Sequence, residues 1–401
     1  MPKKKIKSSI TRKATGFHFA LASKIDYLNA DHWDKVTENS SIFLSREYLE
    51  AAQLEFTDDI IRDFAMVYDT TGPVAAIATQ TFDVTGPQLL GKNSGGSEVL
   101  PEQWKRKSLA LLKRRIMICG NVHTWGPHGI AIAAGQDQKK VWHGIAECLY
   151  RIRRANRLHG QVDYVIVKDM FESEPLDATP LQPFRYCSLE TEPNMVLSLD
   201  PEWQSMDDYL GSLTKRYRAA ARKVMKPFAS PDLSISPIQD IQRESAKILQ
   251  LYKNVASKAD ICLFELNETT LPRTADALGD RFVTIGIREN EELIGFVTIV
   301  RDDETAIGFY LGMDYEANAR RPVYHALLLS VIEQAIRWRC RTISFGRTAL
   351  DAKSRLGCKP ENVHVWIRHR VPVLNFVVQQ ILKNVNHEEP PERNPFKEAK
   401  E

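Results

Sequence analysis

Two stretches of this sequence hold residues whose types and spacing suit chemistry. Thr214-Lys-Arg-Tyr-Arg-Ala-Ala-Ala-Arg-Lys-Val-Met-Lys carries the densest positive charge. At helical spacing Lys215, Arg218, Arg222 and Lys226 fall on one stripe, with no acid to offset them. Such a stripe is either a solvated helix face or a seat for an anionic partner. Tyr217 is its one interleaved aromatic, too little for reading nucleic-acid sequence. The second stretch, Gly120-Asn-Val-His-Thr-Trp-Gly-Pro-His-Gly, follows an apolar run and holds His123 and His128. Imidazoles in a glycine-rich loop suit a base or an acceptor-binding pair, although turn chemistry alone accounts for Gly126-Pro127.

Composition narrows the class. With 401 residues, 43% of them hydrophobic and 26% charged, the chain has enough apolar surface for two or three globular domains, and wholesale disorder or a coiled coil is excluded. The net charge of +3 is too small for a nucleic-acid coat. Lys3, Lys4, Lys5, Lys7, Arg12 and Lys13 supply a basic start with no acid among them, which reads as a solvated, disordered tail over 1–20. The six cysteines are scattered without a CxxC pair, so neither a structural zinc site nor a disulfide framework is expected, and no metal is required. No apolar run approaches the ~20 residues of a membrane span, and no secretory signal follows the basic start. A cytoplasmic protein is expected.

The elements that must position these residues fall into two units, 21–193 and 194–385, followed by an extended tail over 386–401. In the first, Asn29 and Ser45 cap helix starts. Ile61–Tyr68 and Val74–Phe82 form a hairpin, Ile116–Cys119 and Val162–Val167 are strands, and Val141–Arg157 is a helix. In the second, a strand opens at Met195 and the basic helix follows. A helix lies within Ile238–Lys258, a hairpin joins Phe282–Ile287 to Leu293–Val300, and Ala306–Met313 is a third strand. The helix Arg321–Arg339 has one apolar face, Thr342–Phe345 and Val363–Ile367 close the unit, and Val371–Leu382 is a final amphipathic helix. Hairpin, strand, helix and strand recur in one order in both halves, apart from an insertion over Val84–Lys113 in the first. The reading is a tandem repeat of one α/β (α+β) domain, each a mixed twisted sheet flanked by helices.

Phe309-Tyr-Leu-Gly-Met-Asp-Tyr-Glu, Arg321-Pro-Val-Tyr-His-Ala-Leu-Leu, Ile343-Ser-Phe-Gly-Arg-Thr and Asp351-Ala-Lys-Ser-Arg-Leu-Gly, in this order, resemble the C-terminal domain of FemAB-like proteins. These are tandem-GNAT acyl- or aminoacyltransferases. The resemblance covers about 195–370, and the element order extends it to the first unit. It implies two tandem GNAT-like domains and transfer of an acyl or aminoacyl group to a small-molecule amine acceptor. The donor would be acyl-CoA or aminoacyl-tRNA, with tRNA as a carrier. CoA-using members hold the pyrophosphate on a glycine-bearing loop at a helix N-terminus. The matching stretch here, Glu316-Ala-Asn-Ala-Arg-Arg-Pro-Val-Tyr, has no glycine.

By that resemblance Lys353 is the candidate for oxyanion stabilisation, with Tyr310 and Asp314 at the strand end where GNAT domains splay open. Arg347 would bind a carboxylate or phosphate through its planar fork, or else close a strand-end salt bridge. Tyr324 would line the donor cleft beside His325. Lys215, Arg218 and Arg222 would face a phosphate-bearing substrate, and His123 and His128 the acceptor. Two rivals keep the same residues: a non-catalytic binding protein for a phosphate-bearing metabolite or glycan precursor, and an RNA- or membrane-associated accessory protein using the basic tail and stripe.

Overall fold

The computed structural model describes residues 15–55, 60–85, 113–171, 176–258, 264–376, 391 and 393–397. Within them the apolar, β-branched runs pair into two sheets, because a strand with alternating or continuous apolar residues must bury at least one face. The strands, in chain order, are β1 (His18–Ala22), β2 (Ile61–Asp69), β3 (Gly72–Thr85), β4 (Lys113–Cys119), β5 (Ile130–Ile132), β6 (Tyr164–Met170) and β7 (Cys187–Glu190). Then follow β8 (Asn194–Ser198), β9 (Leu233–Pro237), β10 (Phe282–Glu289), β11 (Glu292–Asp302), β12 (Thr305–Met313), β13 (Thr342–Ser344), β14 (Lys359–Glu361) and β15 (His364–His369).

The first sheet has the order β1-β2-β3-β4-β6-β15-β7, with β5 against β3, and the second β9-β10-β11-β12-β13-β8-β14. The two orders correspond position by position. Each sheet is antiparallel except for one central parallel pair, β4 with β6 and β12 with β13. The repeat expected from element order is thus present in the sheets.

One strand departs from expectation. Val363–Ile367 reads as a closing strand of the second unit, yet β15 lies in the first sheet, antiparallel to both β6 and β7. Reciprocally, β8 leaves its chain neighbour β7 and lies in the second sheet between β13 and β14. A short apolar strand satisfies any open ladder, so its sequence does not say which sheet receives it. The exchange ties the halves together covalently and through backbone hydrogen bonds.

Helices cover both sheets. Gln138–Ala155 buries Val141, Trp142, Ile145, Leu149 and Ile152 on the first. Val323–Arg337 buries Leu327, Leu328, Val331, Ile332 and Ala335 on the second, as its periodicity predicts. It also buries Val323, Ala326 and Leu329, because the helix Lys215–Met225 packs on its other side. The halves meet along an apolar seam in which Ile42, Phe43 and Leu44 pack with Val300, Ile307 and Phe309. Each such buried side chain contributes about 1.5–3 kcal/mol. Asp302 accepts the Ile42 N–H across the seam at 2.7 Å.

Near the C-terminus, residues 393–397 run as a strap. Thr214 N donates to Pro395 O at 2.8 Å, and the Phe396 ring sits where any side chain at Gly357 would have to go. Residues 1–14, the insertion over 86–112, Cys262 and the part of the expected final helix from 377 on lie outside the described residues. Residues 372–376 are helical.

Candidate active site

The second sheet opens at its parallel pair. β12 and β13 are in register from Thr305↔Thr342 to Ile307↔Ser344; there β13 ends while β12 runs on to Met313. The chain turns away through Phe345 and Gly346, whose φ of +75° is a left-handed conformation that favours glycine. The loop Gly120–Gly129 of the first half closes over this opening. It can do so because Gly129 touches Gly120 so closely that a Cβ would lie 2.2 Å from the Gly120 nitrogen. At its tip the Trp125 indole N–H donates to Ser344 Oγ at 3.0 Å, and its ring lies against Gly346. Tyr310 Oη donates to the His123 carbonyl at 2.7 Å. Asn194 Oδ1 accepts from both Ser344 Oγ (3.0 Å) and Gly346 N (3.1 Å), fixing the turn.

Lys353 reaches the same glycine from the other side. It lies on the short helix Leu350–Ser354, is 3% exposed, and its Nζ donates to Gly346 O at 3.1 Å. Burial lowers its pKa to about 8, and the weak opposing pull of Cys358 and Glu192 does not restore it. No carboxylate forms an ion pair with it among the described residues. An ammonium held in an apolar site without a counter-ion is costly to keep. Beside it, burial raises the Cys358 thiol to about 12, and burial together with Cys358 does the same to the Tyr324 hydroxyl. Both stay neutral at ordinary pH, so the positive charge of Lys353 is not cancelled.

Arg347, next to Gly346, meets a carboxylate of the protein itself. Its guanidinium pairs with Asp169, which is fully buried at the end of β6 and also receives Lys168 Nζ and the Gly126 N–H (2.9 Å). Lys168 Nζ donates in addition to Thr124 O at 2.6 Å. Burial works against ionising Asp169, but Lys168 and Arg347 outweigh it and hold the carboxyl below its usual range. The cluster therefore locks the loop Gly120–Gly129 to both sheets.

Lys353, Arg347, Tyr310, His123 and His128 thus converge around Gly346 and the loop that covers it. His128 Nε2 donates to Trp125 O at 2.7 Å. Burial, aided by Arg62 for His123 and by Lys168 for His128, lowers both imidazoles to about 3. They are neutral at pH 7. Their folded pKa lies below the unfolded value of about 6.5, so the unfolded chain binds more protons between about pH 3 and 6.5. Stability is therefore expected to fall as pH drops through that window. Urea midpoints at pH 7 and 5 check this; equal midpoints would contradict it.

The remaining candidates stand apart. Asp314 caps the helix Tyr315–Arg320, accepting the Ala317 N–H at 2.8 Å. Lys215, Arg222 and Lys226 are exposed, and Arg218 half-buried, on the outer side of a helix whose Ala221 and Tyr217 face the core. None of the four forms an ion pair among the described residues. Trp125, Asn194, Lys168 and Asp169 were not singled out from sequence; an adjacent Lys-Asp pair ending an apolar strand was the available signal.

A CoA pyrophosphate would need the N-terminus of Val323–Arg337. There Asn318 Oδ1 already takes the Tyr324 N–H (2.9 Å). Arg320 pairs with Glu289 (3.0 Å), and Arg321 with Glu289 (3.5 Å) and Asp232 (3.8 Å). The Val323 and Tyr324 amides and both arginines thus already have partners within the protein, which makes this helix start a poor seat for such a group.

From the basic helix to the helix bearing Lys353, residues 215–354 match the family model for the acetyltransferase (GNAT) domain. These residues are a GNAT domain. The crystal structure of FemX is similar over 88% of this chain and 99% of that one, at 9% identity and a TM-score of 0.56, so the likeness of fold extends through both halves. Also similar are a tandem GNAT protein from the clavulanic acid biosynthesis pathway (11% identity, TM-score 0.49, 89% and 99% covered) and the C-terminal domain of a putative lysylphosphatidylglycerol synthetase from Agrobacterium fabrum (9%, 0.48, 88% and 96%). No curated protein matches the sequence. β12 parts from β13 beyond Ile307↔Ser344, and Lys353 and Trp125 flank that parting on either side of Gly346. No helix among the described residues is long and apolar enough to cross a membrane.

Proposed function

We propose that this GNAT protein transfers an aminoacyl or acyl group to an amine, with Lys353 stabilising the negative charge that develops on the attacked carbonyl. The observation that carries this reading is the buried ammonium at Gly346, just beyond β13, which no carboxylate pairs with among the described residues. The acceptor amine, in its unprotonated form, adds to the donor carbonyl and the carbonyl electrons move onto oxygen beside Lys353. On collapse the new C–N bond remains, the C–O bond to the leaving group breaks, and the leaving oxygen takes up the proton that nitrogen loses. Tyr310 and Trp125 hold the covering loop in place, and Arg347 anchors it through Asp169.

The largely occupied start of Val323–Arg337 speaks against acyl-CoA, and the charges on Lys215, Arg218, Arg222 and Lys226, without ion pairs among the described residues, suit a donor carried on cytoplasmic tRNA. Incubation with charged tRNA and, separately, with acyl-CoA tests the choice. Acyl loss from tRNA in the presence of amines, with no thiol release from acyl-CoA, is expected. Reversing two stripe charges (Arg222→Glu with Lys226→Glu) should weaken donor use at least about tenfold and flatten its salt dependence. Thiol release with an unchanged stripe variant would overturn the tRNA reading.

A further inference from the structure

A second basic surface lies on the first half and takes no part in the site above. The helix Gln138–Ala155 ends in Arg153 and Arg154, with Arg157 in the next turn. β15, the exchanged strand, brings Arg368 and then Arg370 beside Arg153. Arg370 pairs with Asp163 at 2.8 Å, whereas Arg153, Arg154, Arg157 and Arg368 form no ion pair among the described residues. Arg153 instead lies over the Tyr150 ring and Arg368 over Tyr186. One surface groove runs between Tyr150, Arg153 and Arg157, and another between Arg368, Arg370 and Pro372.

The same surroundings carry exposed apolar side chains. Tyr150 and Leu158 flank the arginines of the helix end, and Val373, Leu374 and Phe376 follow directly on Arg370. Leu158 is 93% and Val373 72% exposed. Beyond these five, the described residues leave only Leu21 and Tyr27 as exposed large apolar side chains. A folded surface seldom places large aliphatic groups in water beside uncompensated guanidinium groups. A polyanion such as RNA would neutralise the arginines but leave the aliphatic groups wet. An anionic bilayer satisfies both, its headgroups meeting the arginines while the apolar groups enter the interface.

We propose that this face docks on an anionic lipid surface, seating the protein peripherally on a membrane through Arg153, Arg368, Val373 and Phe376. Sedimentation of the full chain with vesicles of phosphatidylcholine alone, and with about a third phosphatidylglycerol, tests it. Binding is expected only to the anionic vesicles. Each basic residue near the surface is worth about fivefold, so Arg153→Gln with Arg368→Gln should weaken binding about 25-fold. Val373→Asp with Phe376→Asp should weaken it at least about tenfold at the same salt. Equal binding to both vesicles, or binding untouched by both pairs, overturns the proposal. So does a result in which only the arginine pair matters and it abolishes binding to bulk tRNA, which would make this a nucleic-acid surface. Should a variant fail to fold, hydrogen exchange on the unaltered chain decides. Anionic vesicles should slow exchange over 150–158 and 368–376, and no slowing there overturns the proposal.

Discussion

Replacing Lys353 by methionine is expected to lower transfer by about 10²–10³-fold while leaving the fold at least as stable as before. The two halves of that expectation have one cause. Lys353 is 3% exposed, and burial lowers its pKa from 10.5 to about 8. Holding it charged at pH 7 therefore costs on the order of 3 kcal/mol of folding free energy. Methionine has a similar reach and no charge, so that cost disappears. The Gly346 carbonyl is not orphaned, because it also accepts the Met195 N–H at 3.1 Å. The sign with pH follows. The folded pKa lies below the unfolded one, so the stability of the unaltered protein rises between about pH 8 and 10.5, and the variant lacks that rise. Urea unfolding together with single-turnover transfer on the same samples checks both. A variant that is less stable and equally active would show Lys353 to be a core residue.

Asp169→Ala is expected to destabilise the fold by about 3–5 kcal/mol. The carboxylate is fully buried and holds Arg347, Lys168 and the Gly126 N–H at once. Its removal leaves two partly buried cations without their shared carboxylate and frees the loop Gly120–Gly129. Alanine is also strained at the φ of +56° found there. Asn tolerates that conformation and keeps an acceptor for Gly126, so Asp169→Asn should lose less, separating charge from shape. In a cycle with Arg347→Ala the double variant should be more stable than the sum of the single losses implies. Additive losses would mean that the pair does not couple the halves.

Local signals made most of this fold readable. The helix Val323–Arg337 and the hairpin of β10 and β11 follow from periodicity and turn residues, and the repeat follows from the order of such elements. The exchange of β8 and β15 does not, because pairing across more than a hundred residues leaves no mark on strands of five and six residues. Lys353 stands out as a candidate only through its motif, since one lysine on a short polar helix otherwise reads as surface. The basic stripe was plain because charge and spacing are local. The ion cluster was hidden for the opposite reason: Asp169 and Arg347 lie 178 positions apart and become partners only when the loop between the sheets closes. Tyr310 and Asp314, picked as reacting groups, have their oxygens engaged by His123 O and Ala317 N.

The central claim is that a cationic Lys353 assists the carbonyl, and the pH dependence of single-turnover transfer tests it most directly. With the unaltered enzyme, transfer should decline as pH rises through about 8, where Lys353 loses its proton. In Lys353→Arg, whose guanidinium stays charged, the decline should vanish whatever activity is left. A decline that persists unchanged in Lys353→Arg would assign it to another group and contradict the account.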